Sequence, residues 1–162
     1  MLLSKVIAEA AMCQDRFVTW LPSYGAEVRG GTAYCMVVIS DEEIGSPYVE
    51  KADSVIIMNA PSWAKFKDRL KPKGLLVINT SLAPKLPHKK KNIIQGPFSD
   101  IAVAIGNIRV ANMVALGAFL AAKKLLSLKA IEDVFQAIAP ADKKDLIEIN
   151  KKALREGARL KW

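Results

Sequence analysis

The chain has 162 residues, 51% of them hydrophobic, so it is long enough for one compact domain with a buried core. Its net charge of +8 favours anionic ligands or partners, among them nucleic acid, phosphorylated cofactors and acidic proteins. The absence of an apolar run of about 18 residues argues against a membrane span. Because charged residues interrupt the apolar start, the sequence also argues against a signal peptide, and we expect a cytoplasmic protein.

Few side chains are available for metal or covalent chemistry. Cys13 and Cys35 lack Cys-x-x-Cys spacing, whereas an iron–sulfur cluster takes several thiolates, so we expect two buried free thiols. His88 is the only histidine, which argues against a His-cluster metal site and against a Ser-His-Asp mechanism. The sequence therefore predicts no metal site and no catalytic residue in this chain.

The first forty residues predict one helix and two strands. Met1 to Cys13 has apolar residues at helical spacing and predicts a helix, and Arg16 to Trp20 predicts a short strand. Trp20 to Ala33 is rich in Gly, Pro and Ser and predicts a loop at a strand end. Ala33 to Ser40 contains a continuous apolar run, which predicts a strand buried on both faces in a parallel or mixed sheet.

A crossover pattern follows in the middle of the chain. Asp53 to Asn59 predicts a strand, and Pro61 suits the start of a helix that runs to about Leu70. A turn signal, Lys71-Pro72-Lys73-Gly74, precedes a strand over Leu75-Leu76-Val77-Ile78. The polar residues Asn59 and Asn79-Thr80-Ser81 then lie at strand ends, where α/β folds place a ligand crevice.

After a weaker strand over Asn92 to Gln95, the pattern becomes helical. Ser99 is expected to cap a helix that ends near Ile105, and Arg109 to about Leu126 predicts a long apolar helix. Small residues on the latter fit either a tight core contact or a subunit seam. Leu128 to Ala139 predicts another helix, and Asp142 with Asp145 caps a last one, whose basic face fits a solvated outer surface, a membrane surface or RNA.

Together these elements predict an α/β fold, a three-layer Rossmann-like domain with a mostly parallel sheet and C-terminal helices.

The predicted loop between the first two strands contains more functional groups than a simple connection needs. Its three glycines allow main-chain N–H groups to approach a ligand, and among them stand Tyr24, Glu27 and Arg29. The loop is either a tight turn whose charges are solvated or paired, or a recognition loop.

A set of motifs spans nearly the whole chain. The motifs are Pro22-Ser23-Tyr24-Gly25, Glu27, Arg29-Gly30-Gly31-Thr32-Ala33, Ile39-Ser40-Asp41, Ile44-Gly45-Ser46-Pro47, Asp53, Met58-Asn59, Pro61-Ser62, Arg109-Val110-Ala111-Asn112-Met113 and Leu116-Gly117. As a set they resemble the gamma subunit, or gamma domain, of the 2-oxoacid:ferredoxin oxidoreductases. The Gly-Gly-Thr after the arginine is most like the 2-oxoglutarate branch, since the pyruvate branch more often reads Gly-Ala-Pro there.

This resemblance implies oxidative decarboxylation, in which a 2-oxoacid and coenzyme A give acyl-coenzyme A and carbon dioxide and the electrons pass to ferredoxin. It implies alpha and beta subunits as partners, with a delta subunit as an open addition, and no nucleic acid or membrane. Thiamine diphosphate, Mg²⁺ and iron–sulfur clusters would be held by those other subunits, and no cofactor by this chain alone.

The resemblance also implies that the chain helps to bind coenzyme A and to close the thiamine site. Arg29 would bind an anionic group of coenzyme A or a carboxylate of the alpha subunit, and Glu27 would orient the Arg29 side chain. The other implied residues, which bind the coenzyme or form the subunit interface, are Ser23, Tyr24, Gly25, Gly30, Gly31, Thr32, Asn59 and Asn112. For the two asparagines, capping or turn formation is the alternative interpretation. Ala60 stands where the family usually has Gln, so contacts of that amide are not carried over.

In the resembled family, a first strand and a Gly-x-Gly-Gly-Gln-Gly turn precede the first helix. We expect a single domain over residues 1–162 without that strand and turn, either because the start is truncated or misassigned or because the chain does without them. Any site that relies on that turn is not carried over.

Two rival functions remain open at this stage. A stand-alone nucleotide-binding enzyme lacks support, because the sequence has neither the glycine-rich turn nor a plausible acid–base pair. A basic nucleic-acid-binding module would use Lys85 and Lys89-Lys90-Lys91, but this run has no interleaved aromatic residues and fits a solvated rim better. Co-purification of the chain with larger subunits would support the oxidoreductase function over both of these alternatives.

Overall fold

The computed structural model describes residues 1–24, 32–86, 92–138 and 144–161. It contains two compact units, Met1–Glu50 and Lys51–Trp162. Both combine helices with strands, and three strands form a parallel sheet, so the predicted α/β class is confirmed. Among the helices of these described ranges, none has the length and apolar content to cross a bilayer.

The first unit packs one helix on a two-stranded hairpin. Helix α1 spans Leu2–Met12 and contacts both strands, β1 (Phe17–Ser23) and β2 (Tyr34–Ser40). The strands pair antiparallel over their whole length. The indole Nε1 of Trp20 donates a hydrogen bond to Ser4 Oγ at 3.1 Å, which joins β1 to the helix.

Two expectations for this hairpin are wrong. The apolar run of β2 predicts burial on both faces of a parallel sheet, but all seven residues are half-buried and the strand pairs antiparallel. The reason is that this hairpin has two strands and one packed helix, so neither face is fully covered. The loop also begins later than predicted, because β1 continues to Ser23 and Pro22 lies opposite Cys35. Proline is tolerated there because, among the described residues, β1 is an edge strand that pairs only with β2.

The second unit is built on a parallel sheet in the order β3, β4, β5. Its strands are β3 (Ala52–Ile57), β4 (Leu70–Asn79) and β5 (Ile93–Gly96), and helix α2 (Ala60–Phe66) connects the first two. Trp63 and Phe66 of α2 pack on a core cluster of Ile57, Leu76 and Ile78, as their spacing predicts. The predicted strand–helix–strand crossover is confirmed.

The predicted turn over residues 71–74 is wrong, because β4 includes these residues. Ala52 lies opposite Leu70, whereas Ser54 lies opposite Leu75, so the extra residues form an irregularity inside the strand. A Cβ added at Gly74 would lie 2.6 Å from Leu70 Cδ1, so the Leu70 side chain would have to shift to accept one. The helix predicted to reach Leu70 ends at Phe66, and a single 3₁₀ turn over Lys67–Arg69 separates it from β4.

In the described part of the second unit, four more helices follow the sheet: α3 (Phe98–Ile105), α4 (Ala111–Lys123), α5 (Leu128–Ile138) and α6 (Lys144–Arg159). The long helix predicted over residues 109–126 is shorter at both ends. A 3₁₀ turn, Ile108–Val110, precedes α4, and Lys124 ends it in the left-handed conformation at φ 51°. Asp145 lies in the first turn of α6, while the predicted cap Asp142 lies outside the described residues.

Helices α4 and α6 cross at two glycines. A Cβ added at Gly117 would overlap the carbonyl oxygen of Leu154, and one added at Gly157 would overlap the carbonyl oxygen of Val114. Each backbone therefore fills the space that a side chain would take on the other. Of the two interpretations of the small residues in α4, the structure shows a tight core contact at Gly117.

Gly106 ends α3 in the left-handed region at φ 109°. Gly106→Ala is expected to lower the free energy of unfolding by about 1 kcal/mol, because an L side chain resists this backbone conformation. The added Cβ would have no heavy atom within 4 Å, so the loss would report backbone strain alone. Urea denaturation of the two proteins measures it, and equal midpoints would contradict the prediction.

Candidate functional site

The predicted recognition loop joins the two strands of the hairpin. Ser23 ends β1, is half-buried and pairs opposite Tyr34, and Tyr24 is 71% exposed. Thr32, on the other side of the connection, is half-buried. The remaining predicted residues of the loop, Gly25, Glu27, Arg29, Gly30 and Gly31, lie outside the described residues, and their roles stay predictions.

The carboxyl edge of the parallel sheet is the second predicted location, and a buried asparagine organises it. Asn79, at the end of β4, has no exposed surface. Its Nδ2 donates to the carbonyl oxygen of Met58 at 3.1 Å and to Ser99 Oγ at 2.9 Å. Its Oδ1 accepts from the N–H groups of Ser99 at 3.3 Å and Ser81 at 3.4 Å. One amide thus connects the end of β3, the end of β4 and the start of α3.

This connection corrects the prediction that Ser99 caps its own helix. The N-cap position of α3 is Pro97, which supplies no side-chain hydrogen bond. The N–H of Ser99 is instead satisfied by Asn79, and the N–H of Asp100 by Ser81 Oγ at 3.3 Å. Side chains from a distant strand therefore replace the local cap, a role that local sequence cannot reveal.

Asn59 follows β3 and is exposed. Its Oδ1 accepts the N–H of Ser62 at 3.0 Å, so Asn59 is the N-cap of α2. The capping interpretation of this residue is confirmed, and the interpretation as a ligand contact stays a prediction. Asn112 lies in the first turn of α4, half-buried, and its Oδ1 accepts the N–H of Met113 at 3.0 Å. Among the described hydrogen bonds, one from Asn79 reaches the carbonyl oxygen of Met58, next to Asn59. None of them joins Asn79 to Asn112, whose side chain bonds the N–H of Met113.

Both cysteines are free, and the expectation that both are buried is wrong. Cys13 is exposed at the end of α1, where the chain leaves the helix. Cys35 is half-buried, and its thiol donates to Met1 Sδ at 2.9 Å. In the part of the chain that the structure describes, no three His, Cys, Asp or Glu side chains form a group that could hold a metal ion.

The basic face of α6 is partly neutralised by acidic neighbours. Arg155 Nε and Nη2 donate to the two carboxylate oxygens of Glu132 on α5, at 2.7 and 2.8 Å. This hydrogen-bonded pairing raises the pKa of Arg155 above its ordinary value, and the negative charge of Glu132 adds to the shift. Lys151 and Arg159 pair with Glu148 and Glu156 on the same helix. These pairs agree with the interpretation of a charged outer surface over a packed inner face.

This chain is similar to known proteins in sequence and in fold. The sequence profile of the pyruvate ferredoxin/flavodoxin oxidoreductase family matches residues 1–160. The chain belongs to this family. The resemblance to the 2-oxoacid:ferredoxin oxidoreductases, stated above from motifs that include Arg109–Met113, is therefore confirmed.

Relatives in this family act on different 2-oxoacids. The chain is 34% identical to the ketoisovalerate oxidoreductase subunit VorA of Methanothermobacter marburgensis over 94% of this chain, and it spans 32% of that relative. It is 31% identical to the 2-oxoglutarate synthase subunit KorC of Methanocaldococcus jannaschii, over 88% of this chain and 79% of KorC. The chain thus spans about a third of the VorA relatives it matches.

A solved gamma subunit of this family has the same fold. The keto/oxoacid ferredoxin oxidoreductase gamma subunit from Geobacter sulfurreducens PCA superposes with a TM-score of 0.79 at 29% identity. The match covers 96% of this chain and 87% of that subunit. This structural similarity agrees with the Rossmann-like fold class that the sequence predicts.

Proposed function

We propose that the chain is the gamma-type part of a 2-oxoacid:ferredoxin oxidoreductase and that it works in the cytoplasm. It would assemble with alpha and beta subunits that carry thiamine diphosphate, Mg²⁺ and iron–sulfur clusters, while electrons leave to ferredoxin. Its own task would be to help bind coenzyme A and to close the thiamine site during decarboxylation to acyl-coenzyme A. No step of the bond-breaking chemistry is assigned to a residue of this chain.

The observation that carries this proposal is the hairpin of the first unit. Since Ser23 lies opposite Tyr34, residues 24–33 connect two paired strands, and Tyr24 at the start of this connection is 71% exposed. An exposed aromatic side chain beside a glycine-rich segment provides a contact surface for a ligand or a partner. The net charge of +8 attracts the phosphates of coenzyme A to the same chain.

Arg29 has the central role in this proposed contact. A guanidinium group binds phosphate or carboxylate oxygens with paired hydrogen bonds, and it stays charged at every physiological pH. Glu27 would orient Arg29. Ser23, Gly25, Gly30, Gly31 and Thr32 would supply hydroxyl and main-chain donors, and Tyr24 would pack at the subunit interface.

For the substrate, we propose 2-oxoglutarate. The Gly-Gly-Thr that follows Arg29 supports this choice, and KorC, a 2-oxoglutarate synthase subunit, is similar over most of both chains. The ketoisovalerate relative argues for a branched 2-oxoacid instead. Turnover of the isolated complex with 2-oxoglutarate, 2-oxoisovalerate and pyruvate in parallel decides between them, and a preference for either of the other acids would contradict the proposal.

Arg29→Ala in the assembled complex tests the role of the loop. Loss of a charged hydrogen bond of about 1.5–3 kcal/mol is expected to raise the Kd for coenzyme A about tenfold or more. Isothermal titration of coenzyme A into the complex without 2-oxoacid measures this change apart from turnover. Lys73→Ala, which removes one exposed charge from β4, is the control for net charge and is expected to leave the Kd unchanged.

Two outcomes would contradict the proposed function. One is an Arg29→Ala complex that assembles and binds coenzyme A as tightly as the natural one. The other is recovery of the chain from its native source as a lone monomer that binds DNA or RNA with strong salt dependence, as the nucleic-acid alternative requires.

A further inference from the structure

Helix α3 has apolar residues on every side, yet the chain covers only part of it. Six of its eight residues are apolar, and it packs against α4 and α6 with Phe98, Ser99 and Ala102 buried. Val103 is 59% exposed, and Ala104 beside it is exposed as well. Helices that are apolar all round are normally buried, and apolar side chains that cluster on a surface mark an interaction site. The exposed side of α3 therefore has the composition of a contact surface.

This exposed surface continues from α3 onto the 3₁₀ turn that follows it. Gly106 ends the helix, and the turn over Ile108–Val110 contacts α3. Ile108 is 58% exposed, about as much as Val103, and Arg109 beside it is exposed too. We give the name α3 face to the surface formed by the exposed residues Asp100, Val103, Ala104, Ile108 and Arg109.

The α3 face carries opposite charges at its two ends. Asp100 lies in the first turn of α3, and Arg109 follows the end of the helix. Within the part of the chain that the structure describes, neither the Asp100 carboxylate nor the Arg109 guanidinium forms a hydrogen bond or an ion pair. Asp100, Val103 and Ala104 share one side of the helix, because they stand at positions i, i+3 and i+4. The face therefore presents an acid, an apolar centre and a base, in that order.

We propose that the α3 face joins two copies of this chain across a twofold axis. In such a contact the same patch lies on both partners, so the patch must be complementary to itself. When the two copies of α3 run antiparallel, Asp100 of each copy lies beside Arg109 of the other. Val103 and Ile108 of both copies then pack between the two ion pairs. Each copy covers the apolar surface of the other and supplies the opposite charge that the other lacks.

This inference goes beyond the proposed function, because it concerns a contact between two gamma-type chains and not a ligand or another kind of subunit. The order of charges favours a second copy as the occupant. An acid and a base at opposite ends of one apolar patch are what antiparallel self-pairing requires, and like charges would meet if the copies ran parallel.

Sedimentation velocity of the chain at increasing concentration tests the contact. A helix of eight residues is about 12 Å long, so the contact belongs to the small, weak class of interfaces, and we expect a monomer–dimer equilibrium that depends on concentration. Val103→Ser removes apolar contact from both copies and should raise the Kd of the dimer about tenfold. Met12→Ser, at a residue that is 57% exposed on α1, is the matched control and should leave this Kd unchanged. A chain that stays monomeric at every concentration overturns the proposal.

Reversing one charge at a time identifies the partner. Asp100→Lys brings two positive charges together in the contact, and Arg109→Glu brings two negative charges together, so each variant alone should have a Kd raised at least tenfold. An equimolar mixture of the two variants should form a one-to-one dimer, because each introduced charge meets its opposite in the other variant. Lys73→Glu makes the same charge change on β4 and should dimerise like the natural chain. Failure of the mixture to associate overturns the proposal.

A different partner on the α3 face would give a different result. The natural chain would then stay monomeric, and Val103→Ser would instead prevent its assembly with the alpha and beta subunits. That outcome overturns the twofold contact and leaves the proposed function standing. Should Asp100→Lys not fold, as circular dichroism would show, the Kd values of Val103→Ser and Arg109→Glu still decide the proposal.

Discussion

Gly157→Ala is expected to lower the free energy of unfolding by about 3 kcal/mol, the upper end of the usual cost of overpacking. The added Cβ would overlap the carbonyl oxygen of Val114, and a backbone atom within helix α4 cannot move aside as a flexible side chain can. The two helices must therefore separate along their contact, which opens gaps beside buried neighbours such as Leu154 and Met113. Urea denaturation followed by circular dichroism measures the loss.

Two further variants make this prediction specific. Gly45→Ala adds the same methyl group where no heavy atom lies within 4 Å, and it is expected to change stability by less than about 0.5 kcal/mol. Gly117→Ala should cost about as much as Gly157→Ala, because its Cβ would overlap the carbonyl oxygen of Leu154 on the facing helix. In the double variant the losses should not add fully, since one separation of the helices relieves both overlaps. A Gly157→Ala protein as stable as Gly45→Ala would contradict the tight crossing.

The second large effect is expected from Asn79→Ala, which should lower the free energy of unfolding by about 3 kcal/mol. The substitution leaves the carbonyl oxygen of Met58 and the hydroxyl and N–H of Ser99 without their partner. Unsatisfied buried polar groups cost about 1–3 kcal/mol each, and a water molecule in the new space offsets part of the sum. Thermal and urea unfolding of the isolated chain measure this loss.

Asn92→Ala is the matched control for this prediction. Asn92 is half-buried and makes one side-chain hydrogen bond, from Nδ2 to the carbonyl oxygen of Gly74 at 2.9 Å, so its loss should cost about 1 kcal/mol. If Asn79→Ala costs no more than Asn92→Ala, the amide does not hold the three elements together.

Sequence patterns located most of the helices and strands, because these elements depend on residues that are neighbours along the chain. Helical spacing identified α1, a continuous apolar run identified β2 and β4, and a proline marked the start of α2. The wrong predictions concern features that need a partner from elsewhere. The Lys71–Gly74 segment has the composition of a turn, yet Leu70 before it and Leu75 after it both pair with β3, and the segment stays within β4. For the candidate site, Asn59 and Asn79 stood out as polar residues after strands, and capping was one interpretation of Asn59, but the buried connection that Asn79 makes was not predicted.

The sequence by itself determined the family and the order of elements, since both depend on residue types at set spacings along one chain. Only the tertiary structure decided which hydrogen-bond partners and which close contacts the chain makes. Ser99 has the residue type of a helix cap, but Asn79, twenty residues earlier, takes its N–H because parallel strands bring their carboxyl ends to one edge. Gly117 and Gly157 likewise lie far apart in sequence, and they meet the facing backbones because α4 and α6 cross where neither has a side chain.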